Sequence, residues 1–162
     1  MQGDKQVIDF LNKALLNELT AVNQYWLHYR MLDNWGVTKL ARFERHESID
    51  EMKHADILSE RILFLDGLPN FQALGKLKIG EDVKEILEAD LELEHEAIPL
   101  LREAIAHCEH VRDYVSREIF ERILENEEEH VDFLEKQFDL IKRVGIENYI
   151  QLNSDPVEAH ES

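Results

Sequence analysis

Four segments of this chain, each about 27–30 residues long, return an apolar side chain every third or fourth position, the spacing that draws a stripe along an α-helix. Over residues 5–34 the stripe is Ile8, Leu11, Leu15, Val22, Tyr25, Tyr29 and Leu32, and over 39–65 it is Leu40, Leu58, Ile62 and Leu65. Residues 82–110 carry Leu87, Leu91, Ile98, Leu101 and Ile105; residues 114–143 carry Ile119, Ile123, Leu134 and Ile141. A short fifth helix is expected over 146–152, followed by a polar tail. Each long helix would reach roughly 40–45 Å at 1.5 Å per residue, and no comparably long segment alternates with the period of a strand. The expected class is all-α, with one compact unit over residues 1–162.

The breaks between stripes set the connectivity. Asn34-Trp35-Gly36-Val37-Thr38 predicts a tight turn, with Gly36 at positive φ and Thr38 as N-cap of the second helix. Asp66-Gly67-Leu68-Pro69-Asn70 stops that helix. Residues 68–80 hold Phe71, Leu74, Leu77 and Ile79 and read as a packed crossover. Pro99 predicts a kink or a locally lost hydrogen bond in the third helix, Asp113 caps the fourth, and Gly145 ends it. Short, long and short connections give two antiparallel hairpins joined by one long crossover, which leaves the second and third helices parallel.

The 35 acidic against 18 basic residues leave a net charge of −17, which disfavours a nucleic-acid-binding face because phosphate neutralisation needs clustered Lys and Arg. The single cysteine, Cys108, excludes an intrachain disulfide and a thiolate-rich metal site, and reads as an inert core thiol. No run approaches the ~18 apolar residues of a membrane span, and the opening Met1-Gln2-Gly3-Asp4-Lys5 lacks the pattern of a signal peptide. A soluble chain in the reducing cytoplasm, without membrane or nucleic-acid partners, is expected.

Acidic residues interrupt the stripes where Leu or Ile belongs. Glu18 falls between Leu15 and Val22, and Glu94 between Leu91 and Ile98. Glu51 and His54 are in line with Leu58, while Glu127 and His130 lie between Ile123 and Leu134. A third Glu-x-x-His pair, Glu92 with His95, points about 200° and 100° away from the Glu94 direction and is set aside. Glu18 precedes Glu51 by 33 residues and Glu94 precedes Glu127 by 33. In antiparallel hairpins of equal rise, all six side chains then reach one level, about 27 Å from the turns. Four buried carboxylates repel one another and resist ionisation unless a cation joins them, and no Lys or Arg occupies that level. Carboxylate and imidazole donors without thiolate suit a pair of Fe or Mn ions.

With those residues in place, the sequence resembles the bacterioferritins, the haem-containing branch of the ferritins. The resemblance runs through Gly3-Asp4-Lys5, Leu11-Asn12, Asn17-Glu18-Leu19, Asn23-Gln24-Tyr25 and the highly specific His46-Glu47-Ser48-Ile49-Asp50-Glu51-Met52-Lys53-His54-Ala55-Asp56. It continues through Arg61-Ile62-Leu63-Phe64-Leu65, Gly67-Leu68-Pro69-Asn70, Asp113-Tyr114-Val115-Ser116-Arg117, Glu127-Glu128-Glu129-His130 and Gly145-Ile146-Glu147-Asn148-Tyr149.

The resemblance implies a ferritin-like bundle whose ferroxidase centre is Glu18, Glu51, His54, Glu94, Glu127 and His130, with Glu51 and Glu127 bridging two irons and Tyr25 beside them. It implies a hollow 24-subunit shell, homo-oligomeric or mixed with a paralogue, that oxidises Fe(II) with O2 or H2O2 and stores ferric mineral. Met52 matches the axial ligand of a haem b shared between two subunits, which would pass electrons from a bacterioferritin-associated ferredoxin for iron release. His46 and Asp50 match inner-surface iron ligands of some members; Asn34, Asp66, Asp132 and Asp139 resemble iron-entry pore residues. Two other readings stay open from the residues: a free-standing di-iron oxidase or peroxidase of the rubrerythrin type, and a metal-free helical scaffold. A twelve-subunit DNA-protecting ferritin fits less well, because its site lies between subunits.

Overall fold

A carboxylate starts each of three helices. Asp4 accepts from the Val7 N–H at 3.0 Å, Asp82 from Glu85 at 2.8 Å and Asp113 from Ser116 at 3.0 Å, each satisfying a backbone donor that the first helical turn leaves free. In the computed structural model, which describes residues 1–158, the helices are α1 (Lys5–Asn34), α2 (Thr38–Phe64), α3 (Val83–Val111), α4 (Tyr114–Val144) and α5 (Ile146–Leu152). The last four residues of the unit expected over 1–162 lie outside the described residues. Among the described residues there is no strand, and the class is all-α: a ferritin-like four-helix bundle with one long crossover and a short fifth helix. α1 pairs with α2 and α3 with α4, α1 also packs on α3, and α5 rests on α4.

The second helix starts differently from the expectation. Val37 occupies the N-cap position without a side-chain bond, and Thr38 is already helical. The chain after α5 folds back here: the Lys39 N–H donates to the Asn153 carbonyl at 2.9 Å, while Thr38 and Arg42 both donate to Asp155. A distant segment thus supplies the acceptors that a local cap would have offered. α3 runs through Pro99, which lies on the exposed side and, having no N–H, loses its own bond in the helical ladder as expected. Gly36 takes the positive φ of its turn at +82°.

Beyond Leu65, which joins the core, the crossover between Phe64 and Val83 leaves several of its apolar residues exposed within this chain: Leu68 is 81 % exposed, Phe71 54 % and Leu74 53 %. Backbone hydrogen bonds hold it instead. The N–H groups of Gly75, Lys78 and Gly80 donate to Thr20 Oγ1 (2.8 Å), Gln24 Oε1 (2.9 Å) and His28 Nε2 (3.1 Å). The three acceptors are four residues apart on α1 and form one polar face. Extended backbone thus lies along α1 with its buried donors satisfied.

The apolar core is divided. One cluster, with Val7, Leu11, Leu15, Leu58, Ile62, Leu101, Phe120 and Ile123, fills one end of the bundle. Another, with Leu32, Leu40, Ile86, Leu87, Leu134 and Tyr149, fills the other end. Each of α1–α4 passes from the first cluster to the second across a polar layer.

Candidate metal centre

The polar layer gathers the side chains that interrupt the stripes. Glu18 comes from α1, Glu51 and His54 from α2, Glu94 from α3, and Glu127 and His130 from α4; none is more than 6 % exposed. Glu18, Glu51, His54 and Glu127 each place a donor atom within 4.8 Å of the others, and so do Glu94, Glu127 and His130. Glu127 belongs to both groups, so the two lie side by side with a carboxylate in common. His54 Nδ1 is 3.4 Å from Glu51, 3.6 Å from Glu18 and 3.7 Å from Glu127. His130 Nδ1 is 3.1 Å from Glu94. Tyr25, fully buried, donates its hydroxyl proton to Glu94 and meets the His130 ring edge-on at 5.2 Å between centroids.

This layer carries more acceptors than protein donors can serve. Among the described residues, Glu18 Oε2, Glu94 Oε2, Glu127 Oε1 and His130 Nε2 are buried without a hydrogen-bond partner, a costly state for groups removed from water. Burial, reinforced by Glu51 and Glu94, pushes the Glu127 carboxyl well above its ordinary range. Burial also opposes ionisation of Glu94, but hydrogen bonds with Glu127, His130 and Tyr25 outweigh it and hold Glu94 below its ordinary value. Desolvation would lower the His130 pKa, yet Glu94 and Glu47 raise it to about 9; His54 is raised against the same desolvation by Glu51. Protons, in other words, supply the positive charge that the carboxylates demand, and divalent cations coordinated by oxygen and imidazole nitrogen can take their place.

A pocket of about 210 Å³ reaches the layer between α2 and α4, lined by Phe43, Glu47, Asp50, Asn126, Glu129 and Phe133 together with Glu51, His54 and His130. Of the inner-surface pair, Asp50 lines this pocket, whereas His46 is exposed and stands 3.2 Å from Asp50. Met52 points out of the bundle and is 57 % exposed, on a helix that also exposes Ile57, Leu63 and Phe64. The pore candidates are not brought together within one chain. Asn34 and Asp66 lie at opposite ends of the α1–α2 hairpin, and the Asp132 and Asp139 carboxylates pair with Lys136 and Arg143 on their own helix.

A second buried polar group did not emerge from the stripe reading. His28, Glu44 and Asp90, all fully buried, place donor atoms within 4.8 Å of one another. This group does not suit a metal. A backbone N–H can only donate, so the Gly80 N–H at 3.1 Å claims the lone pair of His28 Nε2; Nδ1 then carries the ring proton and donates to Asp90 at 2.9 Å. No imidazole lone pair is left. Burial and the Asp90 charge push the Glu44 carboxyl well above its ordinary range, while Asp90, despite burial, is held below its own by bonds from Glu44 and His28. Glu44 and Asp90 therefore share one proton, and Gln24 completes the group by donating to Asp90 at 3.1 Å. Periodicity could have found Asp90, which is four residues before Glu94, and Glu44, which is seven before Glu51. Glu47 and Asn126, which face the two histidines, gave no such signal.

The profile of the ferritin-like domain family matches residues 8–144. The chain is 52 % identical over 161 residues to bacterioferritins of Brucella melitensis and Rhodobacter capsulatus, covering 99 % of this chain and 100 % of each relative. It is 49 % identical over 149 residues to the bacterioferritin of Mycolicibacterium paratuberculosis, covering 92 % of this chain and 94 % of that one. Through its ferritin-like bundle and its resemblance along nearly the whole length, this chain belongs to the bacterioferritin family.

Proposed function

We propose that this protein is a ferroxidase that stores iron. Fe(II) enters through the pocket between α2 and α4 and is held as a pair by Glu18, Glu51, His54, Glu94, Glu127 and His130, with Glu51 and Glu127 between the two ions. The oxidant is O2 or H2O2; reduction of O2 to peroxide takes two electrons, and each Fe(II) supplies one, which is why a paired site suits the reaction. Ferric product is hydrolysed and deposited inside a 24-subunit shell in the cytoplasm, each chain over residues 1–162 acting as one unit. The observation that carries this reading is the set of buried, unpartnered oxygen and nitrogen atoms converging between two dry apolar clusters.

Within that site the chain's own groups have separate tasks. Tyr25 holds its hydroxyl proton against Glu94, and burial with the neighbouring Glu94 charge raises the phenol well above its ordinary pKa, so it stays a donor. Asp50, with His46 beside it, provides oxygen and nitrogen donors at the pocket rim. Met52 offers an exposed thioether, a soft donor suited to haem iron. Met52 from each of two facing chains would hold a haem b, which would supply electron transfer for iron release with a bacterioferritin-associated ferredoxin as the external donor.

Glu18→Ala and His130→Ala are expected to slow Fe(II) oxidation at least tenfold and to reduce the number of Co(II) ions bound per chain from two. Stopped-flow absorbance of ferric product and cobalt titration measure the two effects. Wild-type rates and stoichiometry in both variants would overturn the assignment. A shell far smaller than 24 subunits that still oxidises iron would favour the free-standing oxidase reading.

A further inference from the structure

The two histidines of the layer differ on the side away from the carboxylates. His54 turns Nδ1 towards Glu18, Glu51 and Glu127, and its Nε2 stands 2.8 Å from the side-chain amide of Asn126 on α4. His130 turns Nδ1 towards Glu94, and its Nε2 is buried with no hydrogen-bond partner among the described residues. The sequence repeat explains how this difference arises. A shift of 76 residues carries Glu18 to Glu94, Glu51 to Glu127 and His54 to His130, and the same shift carries Asp50 to Asn126. Asp50 is thus the repeat counterpart of Asn126, but its carboxylate lies 3.2 Å from His46 and 3.9 Å from Lys53.

We propose that Asn126 is a positioning residue for His54, holding the imidazole with Nδ1 aimed at the carboxylates whether or not that nitrogen carries a proton. This rests on the di-iron reading above. An imidazole that gives its Nδ1 lone pair to a metal carries its proton on Nε2 and needs an acceptor there. An imidazole that keeps its proton on Nδ1, towards Glu51, presents a lone pair at Nε2 and needs a donor. An amide serves both by turning over, since its oxygen accepts and its nitrogen donates. A carboxylate serves only the first, and a hydrocarbon serves neither. The histidine of one metal position is therefore oriented in advance through its Nε2, whereas Tyr25 supports the other position through Glu94 and the His130 Nε2 has no such partner among the described residues.

Cobalt titration of the assembled, metal-free protein, followed through the visible d–d bands, tests this without turnover. Wild type takes up two Co(II) per chain. Asn126→Leu is expected to weaken one of the two binding steps by about 10–100-fold, the usual effect of losing an outer partner of a histidine ligand, and to leave the other step unchanged. Asn126→Asp is expected to tighten that same step, because a carboxylate makes a stronger, charge-assisted bond to Nε2–H. Unchanged affinities in both variants, or an equal shift of both steps, overturn the role of Asn126. If the leucine variant fails to assemble, the aspartate variant carries the test alone, and an unchanged or weaker step overturns the proposal. Wild-type protein that binds no cobalt overturns the di-iron reading and this inference with it.

Discussion

Glu44 and Asp90 show how much a single buried proton can decide. A carboxyl whose pKa is raised by folding binds its proton more tightly in the native than in the unfolded state. Stability then falls as pH climbs above the ordinary carboxyl range and continues to fall until the native group ionises. Glutamine at position 44 mimics the protonated acid at every pH. Glu44→Gln is therefore expected to match wild type near pH 4–5 and to melt progressively higher than wild type from pH 6 to pH 9, a difference that thermal denaturation at several pH values would reveal. A constant or reversed difference would show that the shared proton is misplaced. His28, Glu44 and Asp90 were hidden from the stripe reading because the repeat does not reproduce them. The 76-residue relation pairs them with Ala104, Phe120 and Ala14, which all belong to the apolar cluster at the opposite end of the bundle. Searching for matched insertions finds the symmetric layer and passes over a group present in only one half. Cys108, by contrast, behaves as its setting suggests: it is buried, and desolvation pushes its thiol up to about 12.

At the scale of elements, the crossover is the segment whose character residue order concealed. Its apolar side chains suggested packing, yet what ties it down is its own backbone against Thr20, Gln24 and His28. Gln24→Leu leaves the Lys78 N–H without its acceptor and removes one of the donors to Asp90, which keeps His28; the orphaned N–H costs about 1–3 kcal/mol. Hydrogen exchange at Lys78 and Gly80 should accelerate at least tenfold while amides in the middle of α4 keep their protection; exchange that speeds up equally everywhere would mean that the crossover is not a separate unit. Gly80 is under a second constraint. A Cβ added there would stand 2.2 Å from the Ile86 nitrogen and 2.5 Å from the Glu85 carbonyl carbon, both backbone atoms. Gly80→Ala must therefore displace the start of α3, and about 2–3 kcal/mol of destabilisation is expected, roughly 5–10 °C in melting temperature for a domain of this size. An unchanged melting curve would contradict that approach. The start of α2 illustrates the same point: Thr38 looks like a cap, but its hydroxyl bonds to Asp155, 117 residues away.

For the whole molecule, the division of the core into two apolar clusters has a physical consequence. The bundle is clamped at both ends, so the layer between them can carry repelling carboxylates without opening. The outward face of α2 exposes apolar surface, with Met52, Leu63 and Phe64 more than half exposed in a chain of net charge −17. If Met52 ligates haem between two chains, Met52→Leu abolishes the haem absorption band of the purified protein while shell mass, read by light scattering, and the rate of Fe(II) oxidation stay within about twofold of wild type. Loss of all three together would place the two metal systems in one site and sink the separation argued here.

Helix number, the order of short and long connections, and the level at which six polar side chains interrupt four stripes all follow from residue order, because the turn of an α-helix converts spacing along the chain into direction and height in space. Partnerships between residues on different elements do not. That Gly80 spends the lone pair of His28, that Glu44 shares a proton with Asp90, and that Asn126 reaches His54 while its counterpart Asp50 turns to His46 depend on distances across the packed bundle. A hydrogen bond tolerates only a few tenths of an ångström, and helical periodicity alone does not resolve positions across helices that finely.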